Sequence, residues 1–192
     1  MNPIQRIHEL DIPVPEDADL ADDIQAYFAK CRDKLGMVPN VLRSYSFDEQ
    51  KLRCFKDFYN ELMLGESGLD KLEREMIAVV VSAANRCHYC LTAHGQAVRH
   101  LSGDPSLGEA LVMNFRAAVL TTRQRSMLDF AWRLTVSPET VGEADREALR
   151  AAGLSERELW DVTAVTAFFN MSNRMASAIG MQPNPEYHAM SR

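Results

Sequence analysis

The segment Glu75–Gly95 reads EMIAVVVSAANRCHYCLTAHG, and its first part constrains the fold most. Met76 to Val81 is apolar on every side. Inside a helical pattern, such a run marks a central helix buried all round. It is far too short to cross a bilayer. The pattern breaks at Asn85-Arg86, and a second helix is predicted from about Cys87 to Leu101, stopped by Ser102-Gly103-Asp104-Pro105. A chain turning at Asn85-Arg86 makes a pair of antiparallel helices.

The remaining chain supplies helices to surround that pair. Residues 1–15 read as an irregular arm, because Pro3, Pro13 and Pro15 leave no room for a helix. Helical periodicity is read from near Asp17, with Leu20, Ile24, Tyr27, Phe28, Cys31 and Leu35 on one stripe and Gly36 as terminator. Met37-Val38-Pro39-Asn40 is a turn opening a short helix. Asp48 caps the next helix, which carries Leu52, Phe55, Phe58, Tyr59, Leu62 and Met63 inward and ends at Gly65. Ser67 or Asp70 starts the central helix. Residues 106–120 read as a short helix and a connection. Thr121 or Thr122 caps a helix with Met127, Leu128, Ala131 and Leu134 inward, stopped by Ser137-Pro138. A short helix spans Glu143–Ala152. Ser155 with Glu158 is a capping box opening a long helix to about Ile179. The tail, 181–192, has two prolines and reads as loop. No convincing strand is present, so the fold class is all-α, one domain over 1–192.

A faint internal repeat adds to this. Glu75, Cys87 and Cys90 have counterparts at the same offsets in Glu158, Asn170 and Asn173. That suggests two helical hairpins from one duplicated unit, with thiols only in the first. Asn170 and Asn173 read as bridging or capping helices.

The formal net charge of -6 argues against nucleic acid and anionic membranes as partners. The start, MNPIQRIHEL, lacks the basic and apolar regions of a signal peptide, so a cytoplasmic location is expected. In that compartment a CxxC is more often redox or metal chemistry than a structural staple.

Cys87, Cys90 and His94 fall on one helical face at about 100° per residue. Glu75 is twelve residues before Cys87, about 18 Å along a straight helix, so it joins them only if the chain folds back. With the turn at Asn85-Arg86, Glu75 comes level with His94 and the cysteines lie nearer the turn. A helix N-terminus favours a thiolate at Cys87 or Cys90. A thiolate attacks the O–O bond of a peroxide, becomes a sulfenic acid and is resolved by the second cysteine. His94 would move the proton, and Glu75 would orient the imidazole.

Other readings stand beside this one. Glu75 could pair with Arg86 or Arg174 as a structural ion pair. Cys87, Cys90 and His94 could hold zinc with an open fourth position, although a helix turn without a second CxxC makes a poor closed site. A thioredoxin fold needs flanking strands, and none is predicted. Cys31 and Cys54 sit on apolar stripes and read as inert core thiols. His88 and Tyr89 either tune the thiols or face solvent. His8, His100 and His188 read as surface residues.

The pattern Glu75-x11-Cys87-x2-Cys90-x3-His94 resembles the alkyl hydroperoxidase D-like (carboxymuconolactone decarboxylase) superfamily. The whole chain, including LGMVPNVLRSYS over Leu35–Ser46 and the tail after Gly180, looks like its peroxidase-related branch. The resemblance implies an all-helical bundle, homo-oligomers (dimers, trimers or hexamers) and peroxide reduction without haem, metal or other cofactor. It implies that Cys90 is the peroxidatic cysteine, Cys87 its partner and proton donor, and His94 with Glu75 the relay. A thiol or dithiol reductant would be the second partner. One departure stands: alkyl hydroperoxidase D itself has a histidine directly before the second cysteine, where this chain has Tyr89, with His88 one place earlier. True carboxymuconolactone decarboxylases generally lack the CxxC pair, so its presence argues against lactone decarboxylation. The function expected is a thiol-dependent peroxidase acting on hydrogen peroxide or alkyl hydroperoxides. The alternatives are a dithiol–disulfide oxidoreductase acting on a protein, or a non-catalytic scaffold that senses redox state or binds zinc.

Overall fold

A computed structural model describes residues 6–192. Among them are nine α-helices and no strand: α1 Asp22–Leu35, α2 Asn40–Tyr45, α3 Glu49–Leu64, α4 Lys71–Ala84, α5 His88–Ser102, α6 Pro105–Asn114, α7 Thr122–Val136, α8 Glu143–Ala151 and α9 Glu156–Ala178. The all-α expectation is met. Among the described residues no helix is long and apolar enough to cross a membrane.

Helix α4 is the axis of the bundle, packed by α3, α5, α6, α7 and α9. Met76 to Val81 are all fully buried there, as an all-round apolar run requires. Asp70 and Glu73 close a capping box that fixes where α4 begins. Ser67, the other candidate for that start, instead donates its hydroxyl to Asp161 on α9. The buried carboxylate of Glu73 also receives Arg123, which bridges to Glu158 and so ties the starts of α4, α7 and α9 together. Shortening Ile77 to alanine should cost about 2–5 kcal/mol, because α4 is gripped on all sides and the cavity cannot collapse. Urea unfolding would read this as a lower midpoint at unchanged slope.

The turn falls where the sequence places it. Asn85 ends α4, Arg86 takes a left-handed φ of 54°, and Cys87 is the extended residue before α5. The capping boxes at Thr121 and Ser155 also form.

Several expectations need correction. Asp17–Asp19 is only a 3-10 turn, and α1 begins at Asp22. The second hairpin does not form. Glu158, Asn170 and Asn173 lie on one unbroken helix, α9, because nothing between them carries the Asn-Arg break or left-handed residue that turns the chain at Arg86. Cys54 is exposed rather than in the core, and Phe58 is half exposed. The buried face of α3 runs through Leu52, Phe55, Leu62 and Met63 instead.

The two ends of the chain are more ordered than their composition suggests. Residues 1–5 of the expected arm lie outside the described residues. Beyond them the arm pairs with the end of α9 and the tail, through Glu9 N–H to the Ile179 carbonyl and Gln182 N–H to the Ile7 carbonyl. His8 is therefore buried, not on the surface. The tail contains a 3-10 turn, Pro185–His188, whose Tyr187 is buried.

Candidate active site

The hairpin of α4 and α5 brings the predicted residues together. Glu75 Oε2 lies 2.7 Å from His94 Nδ1, nineteen positions apart in sequence and level across the two helices. The pairing of Glu75 with Arg86 or Arg174 does not occur; Arg174 instead donates to Asn170. The His94 ring stands edge-on to Phe169 at 4.6 Å, so the carboxylate and the phenyl ring together fix its orientation.

Cys87 caps the start of α5 and Cys90 lies in its first turn, both only 1% exposed and both free thiols. Each sulfur shifts the acidity of the other. The Cys90 thiol, donating to Cys87, is the main influence that lowers the Cys87 pKa from 9.0 to about 6. Burial opposes it; the Cys90 backbone N–H, the Ser177 hydroxyl and the His94 charge assist it. The same interaction pushes Cys90 well above the usual thiol range, with burial second, while Asn173 and Ser172 on α9 pull the other way. Such a pair loses its protons in two steps that belong to both residues.

A pH dependence follows. Between pH about 6 and 9.0 the folded pair holds fewer protons at Cys87 than the unfolded chain, so the Cys87 thiolate adds stability as pH rises, and that contribution is lost as pH falls through about 6. Thiol alkylation should show its first ionisation near pH 6, and Cys90→Ala should move that step upward by removing the S–H donor. An unmoved step would contradict that donation.

Behind the sulfurs is a polar network that sequence reading only half anticipated. Asn173 donates to Ser82 Oγ at 3.0 Å, and Asn85 donates to Asn173 and Asn170 at 3.0 and 3.1 Å. The two asparagines thus bridge α4 and α9, as expected, and Asn173 also faces Cys90. Tyr89 is buried, not solvent-facing, and its hydroxyl accepts the Val41 N–H at 3.0 Å. The tail secures the same turn from the other side. Asn184 accepts the Asn40 N–H at 2.7 Å and donates to the Val38 carbonyl at 3.0 Å. Arg99, itself buried, donates to the carbonyls of Tyr187 and Met190 at 3.1 and 3.2 Å. Gly108 leaves room for it, since a Cβ there would sit 2.7 Å from Arg99 Cγ. His88, His100 and His188 are exposed.

A cleft of about 560 Å³ opens onto this centre between α1, α3, α5 and α9. Cys90, His94 and Glu75 line it; Cys87 does not. Among the described residues no group of three or more His, Cys, Asp or Glu side chains is arranged to hold a metal.

The carboxymuconolactone decarboxylase family model matches residues 52–131, a span that includes all four residues of the centre. The chain is 57% identical to an uncharacterized peroxidase-related protein from Silicibacter sp. TM1040, with a TM-score of 0.95 over 100% of this chain and 99% of that one. It belongs to the carboxymuconolactone decarboxylase family. A second member, an alkylhydroperoxidase AhpD core protein from Ralstonia eutropha JMP134 described as peroxidase-related, is 44% identical, with a TM-score of 0.93 over 98% of each chain. The fold of this family member is therefore AhpD-like. The debrominase Bmp8, solved with 2,3,4-tribromopyrrole, shares that fold at 18% identity, with a TM-score of 0.80 over 94% of this chain and 95% of that one. No curated protein matches the chain.

Proposed function

We propose that this family member is a thiol-dependent peroxidase that reduces hydrogen peroxide or organic hydroperoxides through Cys87 and Cys90. One observation carries the reading: a buried vicinal dithiol sits in the same helical hairpin as a carboxylate-held imidazole, and one of its sulfurs faces a cleft. The fold alone does not name the reaction, since it also serves a debrominase.

Cys90 is taken as the attacking sulfur because it lines the cleft, although the resting charge favours Cys87. Passing the Cys90 proton to the Cys87 thiolate makes Cys90 nucleophilic without changing the net charge of the pair. The Cys90 thiolate attacks one peroxide oxygen. An S–O bond forms, the O–O bond breaks, and the sulfur loses two electrons to the peroxide. The departing alkoxide takes the Cys87 proton and leaves as an alcohol, or as water from hydrogen peroxide. The Cys87 thiolate then attacks the sulfenic sulfur of Cys90. An S–S bond forms, the S–O bond breaks, and the departing hydroxide is protonated by His94 with Glu75 balancing the imidazolium charge. An external thiol or dithiol supplies two electrons and two protons to restore the pair.

Burial separates this reading from a dithiol–disulfide oxidoreductase acting on proteins. Both sulfurs are almost fully covered while Cys90 lines the cleft, which favours a small peroxide over a protein disulfide as the oxidant. Stopped-flow oxidation of the reduced protein should be faster with hydrogen peroxide or cumene hydroperoxide than with an equal concentration of an oxidised thioredoxin. The reverse order would transfer the function to thiol–disulfide exchange.

A further inference from the structure

The chain has five lysines in all, and three of them, Lys30, Lys34 and Lys71, line the cleft that reaches Cys90. Lys30 and Lys34 are one turn apart on α1, and Lys71 is the first residue of α4. All three are exposed, and none of them forms an ion pair within the described residues. The other two lysines do pair, Lys51 with Asp48 and Lys56 with Asp57. The cleft has a single carboxylate in its lining, Glu75, and His94 already engages it.

Another part of the lining is aromatic: Phe55, Tyr59, Phe168 and Phe169. Phe168 packs within 5.4–6.0 Å of the other three rings, measured between centroids. A volume of about 560 Å³ is far more than hydrogen peroxide occupies and lies in the range that holds an organic molecule of moderate size. A positive rim on an apolar cleft, in a chain of net charge -6, concentrates anions locally against the overall field.

Building on the peroxidase reading above, we infer that the preferred substrate is an amphipathic organic hydroperoxide with an apolar body and a carboxylate headgroup. The carboxylate is met by Lys30, Lys34 and Lys71, the body lies along the aromatic wall, and the peroxide group is presented to Cys90. Lysine suits this role better than arginine, because a flexible point charge can follow headgroups of different reach.

The test compares linoleic acid hydroperoxide, its methyl ester and hydrogen peroxide as substrates, below their aggregation concentrations and at low salt. The acid should exceed the ester by about tenfold in kcat/KM, the scale of one partly solvated ion pair. Added salt should shrink that margin. Replacing the lysines together (Lys30→Gln, Lys34→Gln, Lys71→Gln) should erase it while leaving the rates with ester and hydrogen peroxide unchanged. Equal rates for acid and ester in the wild type, or a preference that survives the triple substitution, would overturn the inference. A second arm needs no redox chemistry: calorimetric binding of the corresponding hydroxy acid to the wild type and to the triple variant. Weaker binding by about tenfold in the variant upholds the anion site even if no hydroperoxide is reduced, in which case the peroxidase reading alone has failed. Equal binding removes the anion site while peroxide turnover stands.

Discussion

Replacing Cys90 with serine is expected to bring peroxide turnover down to the uncatalysed rate. The substitution keeps size and hydrogen bonding but removes the one sulfur of the Cys87–Cys90 pair that lines the cleft. A serine hydroxyl has no thiolate to offer and forms no sulfenic acid. Cys87→Ser should behave differently. Its Cys90 still meets the peroxide, so each chain should consume one equivalent and then stop as a sulfenic acid that a dimedone-type reagent can trap. The two variants together distinguish attacking from resolving sulfur. A Cys90→Ser protein with wild-type turnover would remove the proposed cycle, and a trapped sulfenic acid at Cys87 in that variant would exchange the two roles.

The second large effect is expected at the relay. Glu75→Gln preserves the shape of the side chain beside His94 but removes the charge that balances an imidazolium 2.7 Å away. Proton transfer by a positioned side chain is worth about 10²–10⁴-fold, so kcat/KM for peroxide should fall by about a hundredfold or more. His94→Ala should fall at least as far, and it opens space directly in the cleft wall. Added imidazole should restore part of that rate, which a merely structural histidine would not allow. A Glu75→Gln protein of unchanged rate, or a His94→Ala protein that imidazole leaves untouched, would mean that protons reach the thiols by another route.

Much of this centre was legible in the chain because it is local. The apolar run Met76 to Val81 requires a buried helix, Asn85-Arg86 interrupts it, and equal spans on either side place Glu75 opposite His94. The capping box of Ser155 with Glu158 was equally plain, since it needs only four consecutive residues. What escaped the sequence depends on contacts between distant segments. The tail looks like loop because its prolines exclude a regular helix, yet Asn184 and Arg99 secure it over the site by bonds to backbone groups that no spacing rule encodes. Tyr89 shows no periodic signal for its contact with Val41, forty-eight residues away. Cys54 misled because an apolar stripe on α3 can be drawn through more residues than the helix buries. The repeat misled because matching offsets do not make a turn, and α9 simply continues. The lysine rim joins α1 to the start of α4, forty-one positions apart between Lys30 and Lys71, so it is invisible before the helices pack.

The most direct measurement is the mass of the tryptic peptide 87–99, which carries both sulfurs of the pair and neither Cys31 nor Cys54. After one equivalent of peroxide the reduced protein should yield this peptide two hydrogens lighter and closed to alkylation, with Cys31 and Cys54 still alkylated on their own peptides. A peptide 87–99 that stays fully alkylated while peroxide disappears, or oxidises the other cysteines instead, would contradict the dithiol cycle.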